Sequence, residues 1–242
     1  WQGEEVEIER SRRGKSTSAE LISLPQPSEA RRTPECEYHL EGNRGGCPWM
    51  FVDYSTQLKQ KQARLSKALE RINSNALSCS VLGANQALVY RNRAQFKSDG
   101  VKLGCVAQGS HEIPDVTHCP ILNEVNQLHL RALRKSLPNT DWRPNKNRQW
   151  TPIDIDHERT TPLVNQRQAF RQGNSEQNEQ LRTWLRGRLA TLSRPNAVFE
   201  LFCGFGNLTE VIAGQLDVSI IAIEGDAASI QALSARNLSK VQ

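Results

Sequence analysis

The sequence predicts an α/β, Rossmann-like fold over its C-terminal part, preceded by a β-rich centre and an N-terminal β-hairpin. Three observations carry this. The apolar run from Ala197 to Cys203 stops at Gly204 and Gly206, spaced G-x-G, and resumes as the amphipathic segment Leu208–Leu216. That order reads as strand, tight turn and helix. Val218-Ser-Ile-Ile-Ala-Ile223 is a β-branched run of the kind buried on both faces of a parallel sheet. Upstream, short alternating stretches broken by turn residues read as strands.

Glu224 closes the second C-terminal run, 20 residues beyond Gly204. An acidic side chain at that strand end is where this fold hydrogen-bonds the ribose hydroxyls of an adenosyl group. A pyrophosphate-binding turn wants G-x-G-x-x-G, and the third glycine place is Thr209 here. That favours S-adenosyl-L-methionine, which has no pyrophosphate, over a dinucleotide. An ordinary glycine-rich βα turn has the same pattern.

The 242 residues have room for one large or two modest domains, and 37% hydrophobic content is low for one compact core. Lys and Arg number 31 against 26 Asp and Glu, a net +5 that fits a nucleic-acid partner. No apolar run approaches membrane-spanning length and no charged-then-apolar leader is present, so a cytoplasmic monomer without a membrane partner is expected. Six cysteines in a chain this long do not suggest a secreted disulfide framework. The chain begins at Trp1 and ends at Gln242 after two strands of an expected doubly wound sheet, and so reads as a fragment.

Along the chain, Gly3–Arg10 alternates apolar and charged residues, a basic turn follows at Arg12-Arg-Gly-Lys15, and Ala19–Leu24 returns. This is a hairpin pattern, left at Pro25-Gln-Pro-Ser28 by a linker. In Cys36-Glu-Tyr-His-Leu-Glu-Gly-Asn-Arg-Gly-Gly-Cys47, glycines before a cysteine let backbone N–H groups approach a sulfur ligand, as at an iron–sulfur cluster; buried thiols are the alternative. From Asp53 to Ile72, Leu58, Leu65, Leu69 and Ile72 share a helical face, with Lys59, Lys61, Arg64, Lys67 and Arg71 around it. This is either a solvated basic face or an RNA contact. In Ala87–Lys97, Arg91, Arg93 and Lys97 alternate along one expected strand and would share a face beside Tyr90 and Phe96, which suits a phosphate backbone or a solvated sheet. Val101–Ala107 and His111–Cys119 also read as β-like. Leu122–Ser136 reads as a helix and Pro138–Gln149 as a basic loop. Leu181, Trp184, Leu185, Leu189 and Leu192 form a helical stripe expected in the core, with Asn174 and Gln177 as a cap. Gln172 and Asn174, just ahead of that helix, are candidate ligand contacts.

These pieces in this order resemble the RNA uracil-5 methyltransferase family, the S-adenosylmethionine-dependent enzymes that make 5-methyluridine in ribosomal and transfer RNA. The resemblance rests on the hairpin, Gly-Gly-Cys47 with Gln57-Leu-Lys-Gln-Lys61, Tyr90-Arg-Asn-Arg-Ala94, Asp115-Val-Thr-His-Cys119-Pro, Phe170-Arg-Gln-Gly-Asn174 and Leu201-Phe-Cys-Gly-Phe-Gly-Asn207. It implies three segments: 1–33, the end of a TRAM (OB-like) domain; 34–165, a central RNA-binding domain with the cysteine motif and a basic helix at about 53–73; and 166–242, the start of a methyltransferase domain truncated after its second strand. It also implies that Gln172, Phe202, Asn207 and Glu224 contact S-adenosyl-L-methionine.

Relatives with a [4Fe-4S] cluster hold it with four cysteines. Cys36, Cys47 and Cys119 match three of them, while Arg44 stands at the remaining place, and a guanidinium is no iron ligand. A three-cysteine cluster, a substitute such as His39, or no cluster are the alternatives. Cys79 and Cys105 match no family position and are expected as buried thiols. Cys203 lies in the cofactor turn and is not expected to be the nucleophile. In the implied reaction a cysteine thiolate adds to uracil C6, the enolate takes the methyl group at C5, and a carboxylate removes the C5 proton. The family places those groups beyond the second strand, so no catalytic residue is expected in this chain and the segment alone is expected to be inactive. A non-catalytic RNA-binding module and a nucleotide-dependent oxidoreductase are the rival classes, and ribosomal RNA is favoured over transfer RNA.

Overall fold

A computed structural model describes residues 1–13, 16–40, 46–72, 80–107, 111–166, 168–193 and 195–242. Arg44, Cys79, Gly45 and the tip of the expected basic turn, Gly14-Lys15, lie outside the described residues. The chain forms two compact units, Trp1–Gly83 and Ala84–Gln242. Among the described residues no helix is long and apolar enough to cross a membrane.

The first unit opens with the expected hairpin. Strand β1 (Glu5–Arg13) pairs antiparallel with β2 (Ser16–Gln26), Ile8 opposite Leu21 and Arg12 opposite Thr17. The alternation that marks the strands does not bury either face: Val6, Ile8, Leu21 and Ile22 are all exposed. What ties the hairpin down is polar. Glu4, shielded from solvent, accepts hydrogen bonds from both Nε and Nη2 of Arg31 and from the Ser28 N–H. Arg31 then bridges to Val52, and Arg32 N–H donates to Phe51 O at 2.9 Å. A short helix α1 (Glu37–Leu40) precedes helix α2 (Tyr54–Glu70), whose first turn is capped by Asp53 accepting from Thr56 N–H at 2.9 Å. Gln57 fastens α2 to the segment before it by donating to Trp49 O and Val52 O. The sequence marks the helix correctly and overstates its apolar face: no α2 residue is buried, and Leu65 and Ile72 are exposed.

The second unit begins with an antiparallel sheet in the order β4-β3-β5-β6, built from β3 (Arg93–Ser98), β4 (Leu103–Gly104), β5 (Thr151–Asp156) and β6 (Leu163–Val164). Residues 84–92 and 111–119 carry no strand, contrary to their β-like reading. Phe96, Leu103, Ile153 and Ile155 are buried, and helix α3 (Glu124–Lys135), capped by Asn123, brings Leu130 and Leu133 to β5. Phe96 is therefore core, not a base-stacking surface. Of the expected cationic strand face, Arg93 is spent internally, donating to Ala169 O and to Gln168 Oε1, while Arg91 lies outside β3 and is exposed.

Helix α4 (Ser175–Ala190) follows, then β7 (Ala197–Leu201), α5 (Thr209–Gln215), β8 (Ser219–Ile223) and α6 (Ala227–Ser234). β7 and β8 pair in parallel with α5 as the crossover, the βαβ unit expected from the sequence. Its core is Leu189, Val211, Ile212 and Ile220, flanked by Leu185, Val198 and Leu216. The leucine stripe of α4 is thus core only along Leu185 and Leu189; Leu181, Trp184 and Leu192 are exposed.

Glu4 supplies a test of what anchors the hairpin. The Arg31 guanidinium, helped by the Ser28 N–H, holds its carboxyl well below the usual 4.5, at about 2, against the opposing effect of burial. A depressed folded-state value means the stabilisation is complete above the unfolded value and is lost as pH falls toward 2. The expected outcome is that Glu4→Gln lowers stability by about 1–3 kcal/mol at pH 7, and that the gap to the parent protein in urea midpoint closes between pH 4.5 and 2.

Candidate cofactor site

Between β7 and α5 the backbone makes a turn that few residues tolerate. Phe202, Gly204 and Gly206 all have positive φ, at 60°, 57° and 89°, and only glycine takes such values freely. The two glycines differ in what surrounds them. A Cβ on Gly206 would lie 2.4 Å from Leu233 Cδ1, so this glycine is needed for close packing against α6. A Cβ on Gly204 would meet nothing within 4 Å. Gly204 therefore faces open space, as a backbone that receives a ligand must.

Glu224 at the end of β8 holds the turn from the neighbouring strand. Its Oε2 accepts from Gly204 N–H at 2.9 Å, and its Oε1 accepts from Gly225 N–H at 2.7 Å and Asp226 N–H at 3.0 Å. Hydrogen bonds from Asp226, Gly204 and Gly225 stabilise the charged form and lower the carboxyl's pKa. A carboxylate has about four acceptor sites in all, so the three bonds to the turn leave about one for a hydroxyl donor. That acceptor fits one hydroxyl of an adenosyl ribose.

Asn207 ties the turn to α4. Its side-chain amide pairs reciprocally with Asn178 of α4, donating to Asn178 Oδ1 at 2.8 Å and accepting from Asn178 Nδ2 at 3.1 Å. Arg182, one turn further along α4, donates to Asn207 O and to Glu210 Oε2. From the other side Arg236 donates to Gly206 O at 2.7 Å, and Phe205 has the guanidinium of Arg171 and that of Arg236 each 5.5 Å from its ring centroid. The turn is braced from both sides, and Asn207 is one of the braces. Phe202 is 88% exposed at the rim, an apolar surface left open to solvent.

Gln172 sits in an exposed segment tied down by its backbone: Asn92 Nδ2 donates to Gln172 O, and Asn92 N–H donates to Gly173 O, both at 3.0 Å. Asn174 caps α4 as expected by accepting from Gln177 N–H, but Gln177 turns to Gln180 instead of returning to the cap. What links this segment to the turn is Arg171, which is also ion-paired to Asp156 and Glu158. Asn178, Arg182, Arg171 and Arg236 escaped the sequence reading. For Asn178 and Arg182 a signal existed, a polar pair four residues apart on α4, hence on one helical face.

Cys203 is buried behind the turn. Burial, then the charges of Glu200 and Glu224, push its thiol pKa up, the reverse of what an activated nucleophile needs. Burial also raises the pKa of the Glu200 carboxyl. Cys36 and Cys47 belong to the first unit and Cys119 to the second; Cys105 is half-buried, less enclosed than expected. Among the described residues no group of three or more His, Cys, Asp or Glu side chains is placed to hold a metal ion. With Arg44 at the remaining cysteine place, the donor set does not fit a four-thiolate cluster.

No family model matches the chain. An uncharacterized RNA methyltransferase of Nitrosomonas europaea is 42% identical to it over 250 positions, covering 98% of this chain and 63% of that protein. The 23S rRNA (uracil(1939)-C(5))-methyltransferase RlmD of Vibrio cholerae is 31% identical over 127 residues, 50% of this chain and 28% of that protein. The chain thus spans less than two thirds of these relatives. Among solved structures, the Pyrococcus abyssi tRNA (uracil-54, C5)-methyltransferase in complex with S-adenosyl-L-homocysteine matches with a TM-score of 0.68 and 14% identity, over 99% of this chain and 73% of that one. That likeness shows a shared Rossmann-like α/β fold.

Two outcomes check this account of the turn. Gly204→Ala, strained only by its backbone, should cost about 1–2 kcal/mol, whereas Gly206→Ala adds the overlap with Leu233 and should cost about 1–3 kcal/mol more in denaturant melts. Cys203 should resist iodoacetamide in the native protein and react on unfolding, as mass spectrometry of the alkylated peptides would record.

Proposed function

Because the chain belongs to the RNA uracil-C5 methyltransferase family, we propose that its α/β turn binds S-adenosyl-L-methionine and that the whole protein methylates C5 of uridine in RNA, ribosomal RNA in preference to transfer RNA. The observation that carries the reading is the Glu224 carboxylate, ionised and bonded to Gly204 at the open side of the turn. When bound, the cofactor supplies a methyl group on a sulfonium. The chain's own residues do the positioning. Glu224 accepts from a ribose hydroxyl, Gly204 admits the ligand to the backbone, and Phe202 offers an apolar rim; Gln172 and Asn207 are assigned to the same ligand. Asn207 also holds the turn to α4 with Arg182.

On this reading the hairpin is the end of a TRAM-type barrel and the chemical groups lie outside this chain. There a cysteine thiolate would add to uracil C6, C5 would take the methyl group that the donor's sulfonium sulfur gives up, and a carboxylate would then remove the C5 proton, which returns the electron pair that expels the thiolate. The target base leaves its stack to meet them. No step is assigned to an iron–sulfur cluster. The protein is read as cytoplasmic and monomeric.

Calorimetric titration of the full-length protein separates this from the rival classes. S-adenosyl-L-methionine should bind and NAD should not, and Glu224→Ala should weaken the former by about tenfold or more, the value of a hydrogen bond to a charged group. Tritiated donor offered with ribosomal and transfer RNA then names the substrate. Binding that is unaffected by Glu224→Ala would remove the basis of the reading.

A further inference from the structure

Beside the hairpin's base, the first unit holds a cavity of about 380 Å³ lined by Trp1, Gln2, Trp49, Gln60, Ala63, Arg64 and Lys67. It lies within one unit and is independent of the cofactor turn. We propose that it binds one unpaired nucleotide of the RNA, the base against the indoles and the phosphate at Arg64 and Lys67; RNA as partner rests on the functional reading above.

The cavity's walls have two characters. Trp1 and Trp49 meet edge to face, ring centroids 5.4 Å apart and planes at 90°. A T-shaped pair uses one face of one ring, so indole surface remains for a third planar group. The other wall is one face of α2, where Gln60, Ala63, Arg64 and Lys67 follow the helical spacing i, i+3, i+4, i+7. Ala63 leaves the floor clear, and Gln60 offers both an amide donor and a carbonyl acceptor to a base edge. Arg64 lies 4.9 Å above the Trp49 ring, where a base could take its place while the guanidinium turns to phosphate.

Charge selects the occupant. None of the lining residues is acidic. Lys59, Lys61, Arg64 and Lys67 give α2 four cations against Glu70, and among the described residues none of the four forms an ion pair. A cation that is not neutralised by the protein releases counterions when it meets phosphate. Aromatic rings with such cations, in a volume within the range of small-ligand pockets, are the chemistry of single-stranded nucleic acid: stacking is blind to sequence, and charge tracks the backbone. A duplex keeps its bases stacked and cannot fill the cavity.

Fluorescence anisotropy with an unstructured 12-nucleotide RNA and a 12-base-pair duplex RNA, on the full-length protein, tests this. Trp49→Ala and the double variant Arg64→Gln/Lys67→Gln should each weaken single-strand binding by about tenfold, Trp49→Phe should retain most of it, and duplex binding should be insensitive to Trp49. The double variant should also flatten the salt dependence by about 1.4 in log–log slope, two phosphates' worth. Both of its side chains are exposed, so it reports even where Trp49→Ala disturbs folding. Unchanged single-strand affinity in the double variant, or equal loss for duplex and single strand on Trp49→Ala, overturns the proposal. Titration of S-adenosyl-L-methionine into the same variants keeps the two readings apart: intact donor binding with unchanged RNA affinity sinks the pocket alone. Pocket-dependent RNA affinity in a protein that does not bind the donor supports the pocket and sinks the donor site.

Discussion

Three backbone N–H groups converge on the Glu224 carboxylate, and the ends of both parallel strands depend on them. The bond to Gly204 crosses from β8 to the turn after β7, so one side chain fixes the separation of two backbones that a ligand must span. The backbone it holds is costly, with three positive-φ residues within five positions. A turn of that kind persists only where its surroundings over-determine it. Here Arg182, Asn178 and Arg236 do so, each spending its polar groups on the turn's carbonyls and on Asn207. The preorganisation that a binding site needs is thereby distributed over α4, β8 and α6 instead of residing in the glycines.

How much of this could be read from the sequence follows the range of the forces involved. Local signals are legible: Asn174 caps the helix that the periodicity predicts, and the G-x-G with Glu224 marks the βαβ unit. Strand β5 was not legible. Thr151-Pro-Ile-Asp-Ile-Asp156 carries a proline and two acids, yet Asp154 and Asp156 are almost fully buried. The side-chain partners, Gln95 at 3.0 Å and Arg171 at 3.2 Å, are remote in sequence, and the one local bond, from Glu158 N–H to Asp156 at 3.0 Å, does not by itself announce that these carboxylates are interior. The stripe on α4 failed in the opposite direction: periodicity shows which residues share a face, not how much of that face another element covers.

The βαβ unit itself shows the same limit. Val198 on β7 and Ile220 on β8 belong to its packed core, while Phe199, Leu201 and Ile223 point the other way and are 67%, 63% and 48% exposed. Parallel sheets are apolar on both faces because helices ordinarily cover both. The sequence of these strands is written for two covered faces, and the described residues cover one. Burial therefore understates how apolar this region is, and Phe202 at the rim continues the open surface.

Charge, too, divides by what surrounds it. A net +5 says little until the cations are sorted by partner. In the second unit Arg93, Arg134, Arg171, Arg182 and Arg236 are committed to carbonyls and carboxylates, Arg134 gripping both oxygens of Asp115 at 2.7 and 3.0 Å. A guanidinium so engaged has few donors left for phosphate, and its counterions were displaced on folding. Helix α2 keeps its cations in solvent. The same residue types thus do opposite work in the two units: in one they brace turns and loops around the apolar core, and in the other they leave a surface whose charge a polyanion can neutralise. The basic helix and the strand arginines looked alike in sequence, and only the second set turned out to be structural.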